Sequence, residues 1–277
     1  MKKYLTEKYH ADQLIDVLDE MPLWSAPFGL KLLDFVDYKP NITVLDIGFG
    51  TGFPLVELAM RLGSGSTVYG IDPWDKAIER TSKKIEGYGI DNVKLIKGVA
   101  ENIPLPDNSI DLIVSNNGIN NVSDISQTLS ECSRILKNGG QFVLTMNLDK
   151  SMFQFYQLLE QVMVEIDLTS CIDSIHQHIK QKRRPLYEVI ELLKQNGFRV
   201  KELEYDQFNY KFANGTAMLN HYFIRLAFLE AWTKLIPNQK VEEVFSQIED
   251  LLNIESKKTG LIKLSVPFAI IKALKNN

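Results

Sequence analysis

Residues 44–52 read Val-Leu-Asp-Ile-Gly-Phe-Gly-Thr-Gly, and an acid, Asp72, follows twenty positions after the last of those glycines. An apolar strand (Ile42, Val44, Leu45, Ile47) runs into a loop with glycine at 48, 50 and 52, and a helix is predicted to start at Phe53-Pro54. Proline suits a first helical turn, where the amide hydrogen it lacks would have had no partner. Clustered glycines let the backbone turn sharply and let a ligand approach with no β-carbon in the way. A second apolar strand, residues 67–71, ends at Asp72. An acid at the tip of the second strand of an open α/β sheet is placed to hydrogen-bond ribose hydroxyls. The chemistry of the segment is therefore nucleoside binding.

The glycine spacing restricts which nucleoside. A dinucleotide loop needs Gly-x-Gly-x-x-Gly so that a pyrophosphate can sit on the helix N-terminus. Started at Gly48, that pattern asks for glycine where Phe53 stands; started at Gly50, it asks for glycine where Leu55 stands. The observed pattern is Asp-x-Gly-x-Gly-x-Gly, which leaves a tight strand-to-helix turn as the only reading without a ligand and disfavours a nicotinamide dehydrogenase.

Elements to position this loop are legible around it. Strands are predicted at about 42–47, 67–71, 92–97, 110–115 and 140–147, with helices at 54–62, 75–87 and 123–136. Strands alternating with helices imply right-handed crossovers and a parallel sheet, and their nearly all-apolar composition fits a sheet covered on both faces. Asn138-Gly139-Gly140 is read as the end of one helix and the turn into the next strand. Upstream, residues 10–37 show helical spacing (Leu14, Ile15, Leu18, then Leu30, Leu32, Leu33, Val36), broken by two prolines and a glycine. Downstream, 150–181 reads as helix, a further helix follows Pro185 to Leu193, a strand follows Gly197, helices are expected at about 216–235 and 239–253, and a last strand at 261–271. One α/β domain with helical insertions fits this better than two independent domains.

Composition agrees. The chain has 277 residues with 45% hydrophobic content and a net charge of −4. That supports a full core and gives no general attraction to nucleic acid. The basic run at 180–184, Lys-Gln-Lys-Arg-Arg, is either a solvated helix end or a local anionic contact. Two distant cysteines, Cys132 and Cys171, form no metal-binding pattern, so no metal is expected. Cys132 sits at helical spacing with Leu129, Ile135 and Leu136 as a small core residue. A charged N-terminus without an apolar signal core, and no apolar run of membrane-spanning length, make a cytoplasmic location the default expectation.

Residues 40–148 resemble a class I S-adenosylmethionine-dependent methyltransferase core, similar to that of the ubiquinone/menaquinone-biosynthesis group. The likeness is carried by the glycine loop at 46–52, Gly-Ile-Asp-Pro-Trp at 70–74, the segment 97–111 (Lys-Gly-Val-Ala-Glu-Asn-Ile-Pro-Leu-Pro-Asp-Asn-Ser-Ile-Asp) and Arg-Ile-Leu-Lys-Asn-Gly-Gly at 134–140. It implies a Rossmann-like, doubly wound seven-stranded sheet, mostly parallel with an antiparallel last strand. Residues 1–39 would form an N-terminal helical cap, and 40–277 the methyltransferase domain with a helical lid or insertions at about 150–181 and 213–256. The resemblance implies S-adenosyl-L-methionine as cofactor. Gly48, Gly50 and Gly52 would line its methionine part, with Asp46 beneath the loop. Asp72 would accept both ribose hydroxyls, Pro73 and Trp74 would pack beside the adenine, Ala100 would present backbone to its edge, and Asn116 would contact the methionine end. The pattern usually has an acid where Val99 stands, so the bond to the adenine amino group would come from Glu101, water or backbone.

A methyl group on a sulfonium is already activated, and the protein mainly has to align it with the nucleophile. A base helps only for alcohol, carbon-acid or protonated-amine acceptors, so no catalytic residue is assigned. The segment 115–121, Ser-Asn-Asn-Gly-Ile-Asn-Asn, follows the fourth strand at the edge where ligands bind in such sheets. Asn117 and Asn120 there, and Asn147 at the end of the fifth strand, supply uncharged donors and acceptors or simply make turns. Relatives often carry a histidine in this loop; none stands here. Trp24 would cover the cofactor, line the acceptor pocket or pack as a core aromatic. The aromatic stretches 153–156 and 208–212 would build an acceptor pocket or core. His10, His176, His178 and His221 carry no signal, and the middle two are read as surface residues.

The expected activity is methyl transfer to a small-molecule acceptor by in-line displacement, as monomer or homodimer. The alternative is a protein of the same fold that binds the donor or its demethylated product without transfer. Nucleic-acid methylation is disfavoured by the acidic balance and by the absence of an Asn/Asp-Pro-Pro-aromatic loop after the fourth strand. Arsenite methylation is disfavoured by the shortage of thiols.

Overall fold

The computed structural model describes residues 2–6 and 23–276. The helical spacing of Leu14, Ile15 and Leu18, and His10, lie outside the described residues. The chain divides into two compact units: one of residues 15–148, 184–206 and 268–277, the other of 1–14, 149–183 and 207–267.

Seven strands form one sheet: β1 (Thr43–Ile47), β2 (Thr67–Asp72), β3 (Val93–Lys97), β4 (Ile110–Asn116), β5 (Leu136–Asn147), β6 (Phe198–Phe212) and β7 (Ile262–Lys275). Their order is β3-β2-β1-β4-β5-β7-β6. The first five pair in parallel, and β7 runs antiparallel to β5 and to β6. This is the expected Rossmann-like arrangement. Strand polarity puts the carboxyl ends of β1, β2 and β4 at one edge, with Leu45 opposite both Tyr69 and Ile113.

In the larger unit the helices Leu55–Leu62, Asp75–Gly87 and Ile125–Ile135 connect successive strands. The last is capped by Asp124, whose side chain accepts the Gln127 amide. Leu45, Ile47, Ile113, Leu129, Cys132, Ile135, Phe142 and Leu144 are buried together in one core. The helix Ser25–Phe35 buries Phe28, Leu32 and Leu33, and Phe28 meets Phe268 edge-on at 4.7 Å. It belongs to this unit.

In the smaller unit the segment expected as one helix over 150–181 is two, Phe153–Glu165 and Ile172–Lys182. Asp167, with φ of 59°, breaks them apart; a left-handed residue cannot continue a right-handed helix. The stretch expected as 216–235 is likewise interrupted at His221, which is extended (φ −63°, ψ 132°). It resumes through a π-helical turn, Arg225–Leu229. The helix Val241–Thr259 is longer than expected and ends on Gly260 in the left-handed region. Strand β5 begins at Leu136, so the Gly139-Gly140 turn lies in a β-irregularity rather than between elements. Among the described residues no helix is long and apolar enough to cross a membrane.

In the larger unit, Lys272, with a side chain 5% exposed, ion-pairs with Asp37 at 2.9 Å and Glu202 at 3.0 Å. The Lys272 ammonium holds both carboxyls below the usual range. Removing either acid leaves the cation one partner; removing both leaves it buried and unpaired. We therefore expect the Asp37→Ala/Glu202→Ala double variant to lose more stability than the sum of the single losses, by about 0.5–3 kcal/mol, in urea unfolding at pH 7.

Candidate functional site

The site is built where β1 and β2 end. After Ile47 the chain enters the left-handed region at Gly48 (φ 74°) and Gly50 (φ 53°), conformations that side-chain-bearing residues resist. Gly48 donates its amide to the Ile71 carbonyl at 2.9 Å, which ties the loop to the neighbouring strand. The Asp72 carboxylate fixes the turn: Oδ2 accepts the Gly50 amide and Oδ1 the Trp74 amide, each at 2.9 Å. Each oxygen retains capacity for a further donor. From the helix Asp75–Gly87, the Thr81 hydroxyl donates to the Gly50 carbonyl at 3.1 Å and the Lys84 ammonium to the Thr51 carbonyl at 2.8 Å. Burial pulls the Lys84 pKa below its ordinary value.

Asp46 lies wholly buried on β1; the Leu55 amide is directed at its carboxylate but makes no hydrogen bond of good geometry with either oxygen. Burial first, and then the nearby Asp72 charge, push its pKa well above the ordinary carboxylate range. Asp46 is thus the member of the pair pushed towards the neutral form, and Asp72 is the one tied to the loop amides.

A cavity of about 370 Å³ opens beside this turn, within the usual range for small-molecule sites. Its lining includes Gly48, Gly50, Asp72 and Pro73 on one side, Val99, Ala100 and Glu101 after β3, and Gly118, Asn121, Val122 and Ser123 after β4. Its floor depends on a glycine-to-glycine contact. A β-carbon on Gly118 would collide with the Ile47 carbonyl, and one on Gly48 would come within 2.8 Å of the Gly118 α-carbon. At Gly50 a β-carbon would meet nothing within 4 Å, so the absent side chain keeps open space there.

Of the sequence-predicted cofactor residues, Gly48, Gly50, Asp72, Pro73, Val99, Ala100 and Glu101 share this lining. The others stand behind or beside it. Gly52 packs on Thr81 and Val56, and Trp74 precedes the helix Asp75–Gly87. The Asn116 amide donates to the Ser25 carbonyl at 3.0 Å and accepts from the Thr145 hydroxyl at 2.9 Å. Val99 is 48% exposed at the cavity and offers no polar group. Glu101 Oε1 accepts the amides of Ser123 (2.7 Å) and Asp124 (3.1 Å), so it tethers the start of the next helix.

The asparagines converge at the ends of β4 and β5. Asn120 Nδ2 donates to Asn117 Oδ1 (3.0 Å) and to Asn147 Oδ1 (2.8 Å), and the Asn147 amide donates to Asn117 Oδ1 (3.1 Å). Asn117 is left-handed (φ 60°), and its buried Nδ2 makes no hydrogen bond. Trp24 packs on Phe28 at 5.4 Å and is not in the cavity lining. Gly118 and Asn121 fall in the post-β4 segment that the sequence placed at the ligand edge, whereas Val122 and Ser123 in the lining, and Thr81 and Lys84 as supports of the loop, carried no signal in the sequence.

The acid at the end of the second strand thus grips the glycine loop after the first strand, beside a cavity whose loop lacks the dinucleotide glycine spacing. Comparison with known proteins shows what this region is similar to. Residues 45–144 match the family model described as a methyltransferase domain. The chain is 36% identical over 114 residues to a demethylmenaquinone methyltransferase of Geobacillus kaustophilus, covering 41% of this chain and 49% of that one. A second such enzyme, from Bacillus mycoides, is 32% identical over 127 residues, covering 46% and 54%. The chain thus spans about half the length of the curated relatives it matches. Among solved structures, a putative methyltransferase from Bacillus halodurans shares the fold with a TM-score of 0.60 at 20% identity, over 90% of this chain and 99% of that one.

The Asp46 environment sets a pH test. A folded-state pKa raised above the unfolded value of about 3.9 gives stability that is complete below that value and is lost as pH rises toward the folded pKa. Replacing Asp46 with Asn removes this loss. In thermal melts, Asp46→Asn and wild type should coincide near pH 4, and the variant should melt higher at pH 8, by about 2–4 °C for each kcal/mol recovered.

Proposed function

We propose that this chain transfers a methyl group from S-adenosylmethionine to a small-molecule acceptor. The observation that carries this reading is the Asp72 carboxylate, clamped by the Gly50 and Trp74 amides at the edge of the cavity, with spare acceptor capacity on both oxygens. The cavity residues fit the donor's chemistry. An uncharged cradle of backbone at Gly48 and Gly50 admits close approach, a carboxylate suits a vicinal diol, and Val99, Ala100 and Val122 suit a flat heterocycle. When bound, the donor supplies a methyl group already activated for in-line displacement.

The chain's own part is then positioning. Asp72 would hold the ribose hydroxyls. The Val99 side chain offers the adenine amino group nothing, and Glu101 Oε1 is engaged by the Ser123 and Asp124 amides, so the polar groups on that lining are Glu101 Oε2, Asn121 and Ser123. Asn116, with its amide spent on Ser25 and Thr145, would act by anchoring the helix Ser25–Phe35 rather than by direct contact. Asn117, Asn120 and Asn147 would orient the acceptor, with Asn117 Nδ2 the donor still to be used. An asparagine cannot remove a proton at neutral pH, so the reading assigns no general base and favours an acceptor that reaches the site already nucleophilic. The relatives' name gives demethylmenaquinone as what they methylate; the family match ends at residue 144 and those relatives cover under half of this chain, so that acceptor is not carried over.

Titration calorimetry with S-adenosylhomocysteine tests the donor half. Asn at position 72 would set an amide NH₂ against one of the two loop amides. Losing one or two charge-assisted hydrogen bonds, at about 1.5–3 kcal/mol each, should weaken binding at least about tenfold in Asp72→Asn. Transfer of labelled methyl to a panel of small acceptors tests the other half. No uptake of the donor or its product by wild type overturns the reading; uptake without transfer to any acceptor favours a binding protein of the same fold.

A further inference from the structure

The basic run at 180–184 does not behave as a uniformly solvated helix end. Lys180 and Lys182 are exposed, but Arg183, the residue after the helix Ile172–Lys182, is 4% exposed. Among the described residues no carboxylate lies within ion-pairing distance of it, and its Nε makes no hydrogen bond. Its guanidinium lies over the ring of Tyr156, 5.5 Å from the centroid, and Nη1 donates to the Tyr156 hydroxyl at 3.4 Å. That hydroxyl also accepts from Trp232 Nε1 at 3.2 Å. Tyr156 and Trp232 are buried, and Phe155 stacks on Trp232 at 3.7 Å. All four belong to the smaller unit.

A donor inventory shows what is missing. Guanidinium offers five N–H groups and no acceptor, indole one N–H and no acceptor. The Tyr156 oxygen, already taken by two donors, is the only acceptor in the group, and its own proton has no acceptor among the described residues. Arginine stays charged, and a buried charge is normally paired because desolvation is otherwise uncompensated. This cluster is all donors, carries a full positive charge, and lacks the anion that would balance it. His178, read from sequence as a surface residue, is half-buried with its ring 6.2 Å from that of Tyr156. Burial, then the Arg183 and Lys182 charges, hold its pKa below the ordinary value.

We propose that Arg183 and Tyr156, backed by Trp232, form a binding site for the oxyanion, carboxylate or phosphate, of a small organic molecule. Arginine's planar fork matches either group in a bidentate way, and Lys180 and Lys182 add positive potential around it. The site goes beyond the methyl-transfer reading and is tested without any methyl donor, so its failure leaves that reading untouched.

The test uses the full chain, with inorganic phosphate, phenyl phosphate, acetate and benzoate as probes. Binding is followed by the imidazole NMR signals of its four histidines and by thermal melts. A bound anion should raise the pKa of His178 and the melting temperature of wild type. Preference for benzoate over acetate and both phosphates marks a carboxylate ligand; the reverse marks a phosphate. Arg183→Met should weaken the preferred probe at least tenfold while melting, ligand-free, no lower than wild type, because it removes an uncompensated buried charge. Arg183→Lys, which keeps the charge and loses the fork, should bind more weakly than wild type. The proposal is overturned if none of the probes moves His178 in wild type, or if Arg183→Lys binds them as wild type does and ligand-free Arg183→Met melts lower. That second pattern makes the guanidinium a packing element.

Discussion

One carboxylate holds the candidate site together. Asp72 accepts two backbone amides, one from the glycine loop after β1 and one from the start of the helix after β2. Without it the Gly50 turn would have no electrostatic reason to face the sheet edge, because a left-handed glycine is equally free to adopt other conformations. The parallel β1–β2 register brings the two strand ends level, and the Gly48–Gly118 contact lets the loops after β1 and β4 approach until backbone touches backbone. Thr81 and Lys84 then hold the far side of the loop from the following helix. Sheet geometry, glycine placement and one acid thus converge on a single cavity wall.

Charge is distributed sparingly around that wall. Burial first, and then the charge of nearby Asp72, raise the pKa of Asp46. The residues that follow β4 contribute asparagines and a serine, which can orient a ligand without imposing charge. Such a site suits a cationic, uncharged-backbone-facing ligand whose reactivity it does not need to create. The smaller unit shows the opposite balance, a buried cation and a set of donors that share one acceptor, the Tyr156 oxygen.

Legibility in the sequence followed the range of the interactions. The five parallel strands and the helices between them were readable because each is a local run of apolar residues, and the strand–loop–helix around Gly48–Gly52 because its parts are contiguous. The resemblance supplied the antiparallel end of the sheet. The breaks at Asp167 and His221 were not readable, since periodicity registers which side chains are apolar and not which residue must leave the helical region. Gly118 and Asn121 lay in the segment expected at the ligand edge, but Val122, Ser123, Thr81 and Lys84 reach the cavity or its loop only through the fold. Arg183 was visible as one of several basic residues, yet only packing distinguishes it from its exposed neighbours Lys182 and Arg184.

The most direct measurement is a crystal structure of the chain with S-adenosylhomocysteine. Both ribose hydroxyls should lie within hydrogen-bond distance of Asp72, with the Gly50 amide still bound to Oδ2 and the adenine between Val99 and Val122. Ligand density elsewhere, or a ribose that leaves Asp72 untouched, would contradict the role given to that carboxylate.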